Sequence, residues 1–269
     1  MIELLFIVLC MFLLVRHRLY WKNTDVSVFG DEKIIYMAHR GHPFDTPENT
    51  LESFKEAVTK GFSWIELDLV TTKDGTIICS HNYDLERETN GKGWIRDLNY
   101  SELGYVRTGI YTHPENTSAL PRLKTVVQKL PDSLCYNFEI KIFSLFDFSV
   151  VVSLVELIKK EKIKKYIVSS FNPLIIVFIK IFYPYIKTGF LLENRKYLWL
   201  TNWIHPSCLH PRVDMVDDEL INMIDERNID LSVWTVNNKK AVDWCRTHKI
   251  KGVITDSDEY TINYKEFIV

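Results

Sequence analysis

The sequence IIYMAHRG at residues 34–41 decides the fold, because an apolar run ends there in polar side chains and a glycine. Residues 34–38 have the length and apolar character of a strand buried on both faces. Seven further short apolar runs follow and alternate with helix-like stretches, as in a parallel sheet wrapped by helices. An open doubly wound sheet would carry a glycine-rich loop here, and only Gly41 is present. We therefore predict an α/β fold, a (β/α)₈ TIM barrel.

The predicted elements fill most of the chain. The strands lie at 34–38, 64–69, 134–140, 166–170, 186–191, 203–204, 229–234 and 252–255, and the helices near 50–60, 123–130, 148–160, 173–182, 217–227 and 239–247. Asp74-Gly75 is a tight-turn signal that predicts a hairpin returning through 76–80 after the second strand. The polar stretch at about 82–120 is predicted to be a long inserted loop, either functional or disordered.

Composition limits the class of protein. A chain of 269 residues that is 46% hydrophobic supports one catalytic domain, placed at 33–269. A formal net charge of -2 argues against a nucleic-acid binder, since such proteins cluster lysine and arginine against phosphates. Five scattered cysteines without a C-x-x-C pair indicate neither a disulfide framework nor a zinc site, and Cys79 and Cys135 are predicted to be core thiols.

The N-terminal segment is apolar from residue 4 to 15 and is followed by Arg16, His17, Arg18 and Lys22. We predict a membrane segment over 1–22 that contacts the bilayer through 4–21 as an uncleaved anchor. The flanking cations would place the catalytic domain in the cytoplasm. The alternatives are the signal peptide of a secreted or periplasmic protein, or a buried helix. The run at 173–185 leaves almost no polar face, which predicts a cover from the N-terminal segment or a partner, or contact with a membrane surface.

Polar side chains follow the first three predicted strands, at the end of a barrel where active sites lie. Strand one ends in His39-Arg40-Gly41, strand two in Glu66-x-Asp68 and strand three in Glu139-x-Lys141. A spacing of two places both members of a pair on the same strand face. Three carboxylates in a partly dry cavity require a cation, and oxygen ligands select Mg²⁺ or Ca²⁺ over zinc.

These motifs and their order resemble the glycerophosphodiester phosphodiesterase family. The resemblance covers about residues 34–256 and includes Pro47-Glu48-Asn49-Thr50-Leu51, Asp74-Gly75, His81, Gly91 to Gly93, Pro121-Arg122-Leu123, Phe138 to Lys141, Ser169-Ser170-Phe171, Val233 to Asn237 and Gly252 to Asp256.

The resemblance implies a role for each site residue. The positions matching Glu66, Asp68 and Glu139 hold the divalent metal, and those matching His39 and His81 are the general acid and base, with a slight preference for His81 as the acid. Arg40 and Lys141 match phosphate-contacting positions, and Trp234 is expected to pack over substrate carbons. The reaction implied is hydrolysis of a glycerophosphodiester to sn-glycerol 3-phosphate and an alcohol.

Several neighbours of these residues are expected to be structural. Glu48 and Asn49 are predicted to hold the loop after strand one, and Thr50 to cap the next helix. Asn82 departs from the family, which has Asp after the second histidine, so a charge that would assist His81 is lost.

Two alternatives remain open from the sequence. A membrane-associated lysophospholipase D would use the same site on a substrate that carries an acyl chain. A catalytically inactive, membrane-bound binding module is also compatible with the fold alone.

Overall fold

The computed structural model describes residues 2–24, 26–30, 34–248 and 250–259. The predicted catalytic domain of 33–269 includes residues 33, 249 and 260–269, which lie outside the described residues. The strands are β1 Ile35–His39, β2 Trp64–Thr71, β3 Ile77–Cys79, β4 Arg107–Thr108, β5 Ser118–Ala119, β6 Cys135–Ile140, β7 Tyr166–Ser170, β8 Thr188–Leu192, β9 Cys208–Pro211, β10 Asp230–Val233 and β11 Gly252–Thr255. The α-helices are α1 Ile2–Leu19, α2 Leu51–Thr59, α3 Leu123–Lys129, α4 Ser149–Glu161, α5 Pro173–Phe182, α6 Thr201–Ile204, α7 Asp218–Arg227 and α8 Lys239–Thr247.

Eight parallel strands close into a barrel. Each of β1, β2, β6, β7, β8, β9, β10 and β11 pairs in parallel with the next, and β11 returns to β1. The central strands are buried along nearly their whole length, since side chains from one face fill the barrel and those from the other meet the helices. The predicted TIM barrel is confirmed.

The sixth predicted strand is wrong. Residues 203–204 belong to the short helix α6, and the sixth barrel strand is β9, Cys208–Pro211. This strand has only four residues, among them His210 and Pro211, so it shows no apolar run that sequence could reveal. The space that a long helix would occupy between β8 and β9 is taken by a 3₁₀ helix, Arg195–Leu200, and α6.

The inserted region after β2 has a small core of its own. β3 runs back along β2 as an antiparallel hairpin, which confirms the turn predicted at Asp74-Gly75. Beyond it come the 3₁₀ helices Ile95–Asp97 and Tyr100–Leu103 and the antiparallel pair β4 and β5. The buried side chains that hold the insert against β2 and β3 are Val70, Ile78, Leu85, Ile95, Leu103, Val106 and Leu120. The insert is therefore a folded unit fixed to the barrel.

The predicted membrane anchor is wrong. Within the residues described, no helix combines the length and the apolar character that a bilayer crossing requires. α1 has 18 residues, or about 27 Å at 1.5 Å per residue, and Arg16 and Arg18 stand in its last turn. A hydrocarbon core is about 30 Å thick. The membrane contact through 4–21 and the localisation inferred from it are withdrawn.

The C-terminal end of α1 is attached to the barrel wall. Trp21 is 8% exposed, its ring stacks on His205 with centroids 4.1 Å apart, and its indole donates to Asn202 Oδ1 at 3.1 Å. Asn23 N donates to the Arg227 carbonyl at 2.7 Å. By contrast, the apolar side chains between Leu5 and Leu14 are mostly exposed.

The apolar helix α5 is covered in part by other elements. Its Ile175, Ile176 and Ile179 are buried, and Phe178 stacks on Phe148 with centroids 4.4 Å apart. α5 packs against β7, β8 and α6, while Ile181 and Phe182 are exposed.

Candidate active site

The turn after β1 places His39 and Arg40 at the mouth of the barrel. Arg40 has φ 56° and Gly41 φ 89°, so the chain reverses sharply within two residues. A Cβ on Gly41 would overlap the side chain of Ser53, which is why glycine is needed there. Ser53 Oγ donates to the Arg40 carbonyl at 3.1 Å and fixes the turn to α2.

Asn49 joins this turn to the second strand. Its side-chain amide donates to Asp68 Oδ2 at 2.9 Å, and its Oδ1 accepts from Asp68 N at 3.0 Å. Thr50 caps α2 by accepting from Ser53 N, as predicted. Glu48 accepts from Arg40 Nη1 at 2.8 Å, so Glu48 and Asn49 hold the loop as the sequence predicted.

Glu66, Asp68 and Glu139 form a buried acidic cluster in which one oxygen of each lies within 4.8 Å of the others. Glu66 and Asp68 share one face of β2, and Glu139 is the register partner of Asp68 on β6. Glu66 Oε2 accepts from Arg40 N at 3.0 Å, whereas Oε1 is buried without a hydrogen-bond partner among the residues described. Such an orphaned oxygen within an all-oxygen donor set fits a hard divalent cation.

The electrostatics of the cluster agree with that fit. Burial, reinforced by the charges of Asp68 and Glu139, raises the pKa of Glu66 well above its ordinary value. Burial and the Asp68 charge likewise raise the pKa of Glu139. Burial alone would also raise the pKa of Asp68, but Lys141 and Arg40 lower it to about 2. Burial thus outweighs the neighbouring positive charges at Glu66 and Glu139, where a cation would stabilise the ionised carboxylates.

Two cations face the cluster. Lys141 Nζ lies 2.6 Å from Glu139 Oε1 and 3.1 Å from Asp68 Oδ1. Arg40 Nε lies 3.2 Å from Asp68 Oδ2. Burial opposes the charge of both side chains, but the facing carboxylates prevail and raise the pKa of each.

The two histidines differ in their surroundings. His39 Nδ1 lies 2.8 Å from Asp256 Oδ1, and Asp256 Oδ2 accepts from Asn237 Nδ2 at 2.6 Å. Burial would raise the pKa of Asp256, yet the hydrogen bond and charge of His39 lower it below the ordinary value. His81 follows β3, and burial lowers its pKa to about 4.

One cavity of about 260 Å³ collects these groups. Its lining includes seven of the eight predicted site residues, and the eighth, Asp68, has an oxygen within 4.8 Å of the oxygens of Glu66 and Glu139. The lining residues are His39, Arg40, Glu66, His81, Glu139, Lys141, Phe171, Leu191, Glu193, Trp234, Thr235 and Ile254. Trp234 Nε1 donates to the His210 carbonyl at 2.7 Å, and its ring meets Phe171 edge to face.

Sequence reasoning gave no role to Asp256, Phe171, Leu191 or Glu193. Asp256 follows the last barrel strand, which closes against β1, so its side chain meets His39 across the seam of the barrel. A signal existed, because Asp256 is a polar residue directly after a predicted strand end, as His39 is.

A parallel barrel with two imidazoles and a carboxylate cluster at its mouth has the residue types of a hydrolase site that could hold a metal ion. The model of the Glycerophosphoryl diester phosphodiesterase family matches residues 39–259. The chain belongs to this family and is an enzyme, a phosphoric diester hydrolase. The predicted resemblance is confirmed.

Curated relatives agree with the family assignment, and solved structures agree with the fold. A glycerophosphodiester phosphodiesterase of Caldanaerobacter subterraneus is 30% identical over 236 residues, covering 86% of this chain and 97% of that protein. One of Bacillus subtilis is 26% identical and covers 93% and 94% of the two chains. The structure of an Oleispira antarctica phosphodiesterase in complex with the product sn-glycerol-3-phosphate shares the fold, with TM-score 0.78, 22% identity, and coverage of 86% and 96%.

Proposed function

We propose that the enzyme is a metal-dependent phosphodiesterase that hydrolyses glycerophosphodiesters to sn-glycerol 3-phosphate and an alcohol. The buried carboxylate cluster of Glu66, Asp68 and Glu139 beside His39 and His81 carries the proposal. Membership of the family and the 30% identical relative support the substrate class.

The metal site would be formed by Glu66, Asp68 and Glu139. When bound, Mg²⁺ or Ca²⁺ would hold the phosphodiester anion and offset charge that grows on its oxygens. Asn49 orients Asp68 through two hydrogen bonds, and Lys141 and Arg40 keep that carboxylate ionised.

Arg40 and Lys141 are positioned to contact the phosphate oxygens. Both line the cavity, and both now pair with carboxylates of the cluster. A bound cation would compensate those carboxylates and leave the two side chains to face the substrate anion. Trp234 and Phe171 form an apolar wall suited to carbon atoms of the substrate.

His39 is suited to the role of general base. The contact between Nδ1 and Asp256 orients the ring and leaves Nε2 as the proton acceptor. His39 would take a proton from the attacking water as its oxygen bonds to phosphorus.

His81 is suited to the role of general acid, in agreement with the preference taken from sequence. It would donate a proton to the alcohol oxygen as the bond between phosphorus and that oxygen breaks. Its pKa of about 4 in the free protein disfavours the protonated ring, but a phosphodiester anion beside it favours the charged form.

The leaving group tests these roles. Glycerol 3-phosphate release is measured from glycerophosphocholine and from the 4-nitrophenyl ester of glycerol 3-phosphate. We expect His39→Ala and His81→Ala each to lose about 10² or more on the natural diester. The nitrophenyl ester should rescue only His81→Ala, because nitrophenolate leaves without a proton.

His248→Ala is the control, since His248 stacks on Trp244 away from the cavity. Near-normal rates of both site variants on glycerophosphocholine would refute the proposal. Parallel assays on lysophosphatidylcholine test the lysophospholipase D alternative.

A further inference from the structure

The side of the site next to His81 carries an aromatic cluster that no role above explains. Tyr83 and Trp94 contact the ring of Phe143 from two directions, with centroids 5.6 and 4.9 Å away and planes near perpendicular. The guanidinium of Arg96 lies over the same ring at 3.4 Å. We call Tyr83, Trp94, Arg96 and Phe143 the rim cluster.

The rim cluster joins two catalytic loops. Tyr83 stands two residues after His81, and Phe143 two residues after Lys141. Ile95 N donates to the Tyr83 carbonyl at 2.9 Å, so Tyr83 and Trp94 lie side by side on one hairpin of the insert. The crevice lined by Tyr83, Arg96 and Phe143 also reaches Lys141, which lines the catalytic cavity. A substrate group that extends from the phosphate toward the insert would therefore contact the rim cluster.

Much of the cluster is open to solvent. Trp94 is 43% and Phe143 37% exposed, and the Arg96 side chain 49%. Large aromatic side chains held rigidly at the edge of a polar site offer flat surface to a ligand at low entropic cost. We propose that the rim cluster receives the alcohol group of the substrate and favours uncharged polyol alcohols over those with a quaternary ammonium. This rests on the proposed function, and in particular on departure of the alcohol on the His81 side.

The preferred alcohol can be inferred from the Arg96 guanidinium, which already lies over the Phe143 ring. A quaternary ammonium is bound by a cage of several free aromatic faces, and here Arg96 already covers one face of Phe143. The guanidinium and the Lys141 ammonium add two positive charges to this side, which repel a cationic alcohol.

The carboxylates nearby are already engaged or exposed. Asp97 lies 3.7 Å from Arg96 Nε and is 64% exposed. Asp147 lines the same crevice, and its Oδ1 accepts from Ser149 N and Oγ at the start of α4. Asp84 pairs with Arg87. A hydroxyl-rich alcohol, in contrast, can stack on Trp94 and accept hydrogen bonds from Arg96.

The test compares kcat/KM on glycerophosphoglycerol and on glycerophosphocholine, by release of glycerol 3-phosphate. We expect the wild type to favour glycerophosphoglycerol by about tenfold, and Arg96→Gln to reduce that ratio to about two or less. Arg96→Lys should keep most of the preference. Trp94→Ala should raise KM for glycerophosphoglycerol by about tenfold with little change in kcat, because stacking contributes to binding alone.

Arg87→Gln is the matched control, a charge on the same insert that pairs with Asp84, and it should leave the ratio unchanged. Wild-type preference for glycerophosphocholine, or an unchanged ratio in Arg96→Gln, would overturn the inference. Inactivity on both substrates would instead overturn the proposed function beneath it.

The wild type provides a test that does not depend on the folding of any variant. Its preference should shrink as NaCl rises to about 0.3 M, because salt screens exposed charges. A preference independent of salt would also overturn the inference.

Discussion

The ring of His39 and the carboxylate of Asp256 are 2.8 Å apart although β1 and β11 stand at opposite ends of the barrel sequence. Asn237 holds the other oxygen of that carboxylate, so the aspartate is fixed from two sides. An imidazole held in this way keeps a single tautomer and orientation.

Asp256→Asn should therefore lower kcat/KM on glycerophosphodiesters by about 10- to 100-fold. The amide retains a hydrogen bond but loses the charge that stabilises a positive ring. Asp258→Asn is the control, because Asp258 pairs with Lys60 and lies beside His42 instead. Equal activity of the two variants would exclude an orienting role for Asp256.

Removal of the metal should abolish activity, and Mg²⁺ or Ca²⁺ should restore it. Chelated enzyme is assayed before and after each ion is added back. Glu66→Gln is expected to weaken metal binding, measured by calorimetry, because Glu66 supplies a buried oxygen that has no hydrogen-bond partner among the described residues.

The same variant separates a binding role from a structural one. With chelator present, Glu66→Gln should melt no lower than the wild type, since it removes a buried uncompensated charge. Glu193→Gln, an exposed carboxylate of the same cavity, is the control for metal affinity. A large fall in the melting temperature of chelated Glu66→Gln would indicate that the carboxylate supports the fold.

Deletion of residues 1–14 should leave the melting temperature nearly unchanged, because the apolar side chains from Leu5 to Leu14 are mostly exposed. Deletion of residues 1–22 should lower it by about 5 to 15 °C, since Trp21 and its stack on His205 are lost. The melting temperatures of the two truncated proteins are compared by calorimetry. Equal melting temperatures would show that the end of α1 does not stabilise the barrel.

The stability of the barrel should fall in mild acid because of His210. Burial lowers its pKa from 6.5 to about 3, so the folded state favours the neutral ring. The contribution of the neutral His210 ring to the free energy of unfolding is therefore complete above about pH 6.5 and is lost as the pH falls toward 3. His210→Gln should reduce the slope of melting temperature against pH between about 7 and 4.

The slope should not vanish, since the pKa values of His81 and His205 are also lowered to about 4. Asn137→Ala is the control, because Asn137 is a buried polar residue of the barrel that does not titrate. It should lower the melting temperature by the same amount at every pH. An unchanged slope in His210→Gln would show that protonation of other groups causes the loss of stability in acid.

Most of the fold was predictable because its signals are local. Seven of the eight barrel strands appear as apolar runs, and the hairpin after β2 follows from one Asp-Gly turn. β9 was missed because His210 and Pro211 interrupt any apolar pattern, although both residues are buried. The N-terminal helix was expected from its apolar run, but its length and its terminal arginines exclude the bilayer crossing inferred from that run.

Some residues of the candidate site were likewise predictable from local sequence, and others were not. Glu66, Asp68 and Glu139 were found from strand spacing and from a family motif, both readable along the chain. Asp256 follows a predicted strand end, but its contact with His39 depends on the pairing of the last strand with the first, which no local pattern predicts. The rim cluster was not foreseen, because residues 83–96 have no periodicity and Phe143 reaches them from another loop.

Barrel closure also sets the order in which a growing chain acquires its chemistry. His39 and Asp256 are separated by 217 positions, and synthesis proceeds from the N-terminus. Both histidines and all three carboxylates leave the ribosome long before the aspartate that orients His39. An unfinished polypeptide that lacks Asp256 therefore carries the residues of the acidic cluster without the partner of His39, and we expect hydrolysis only after the final strand has paired with β1.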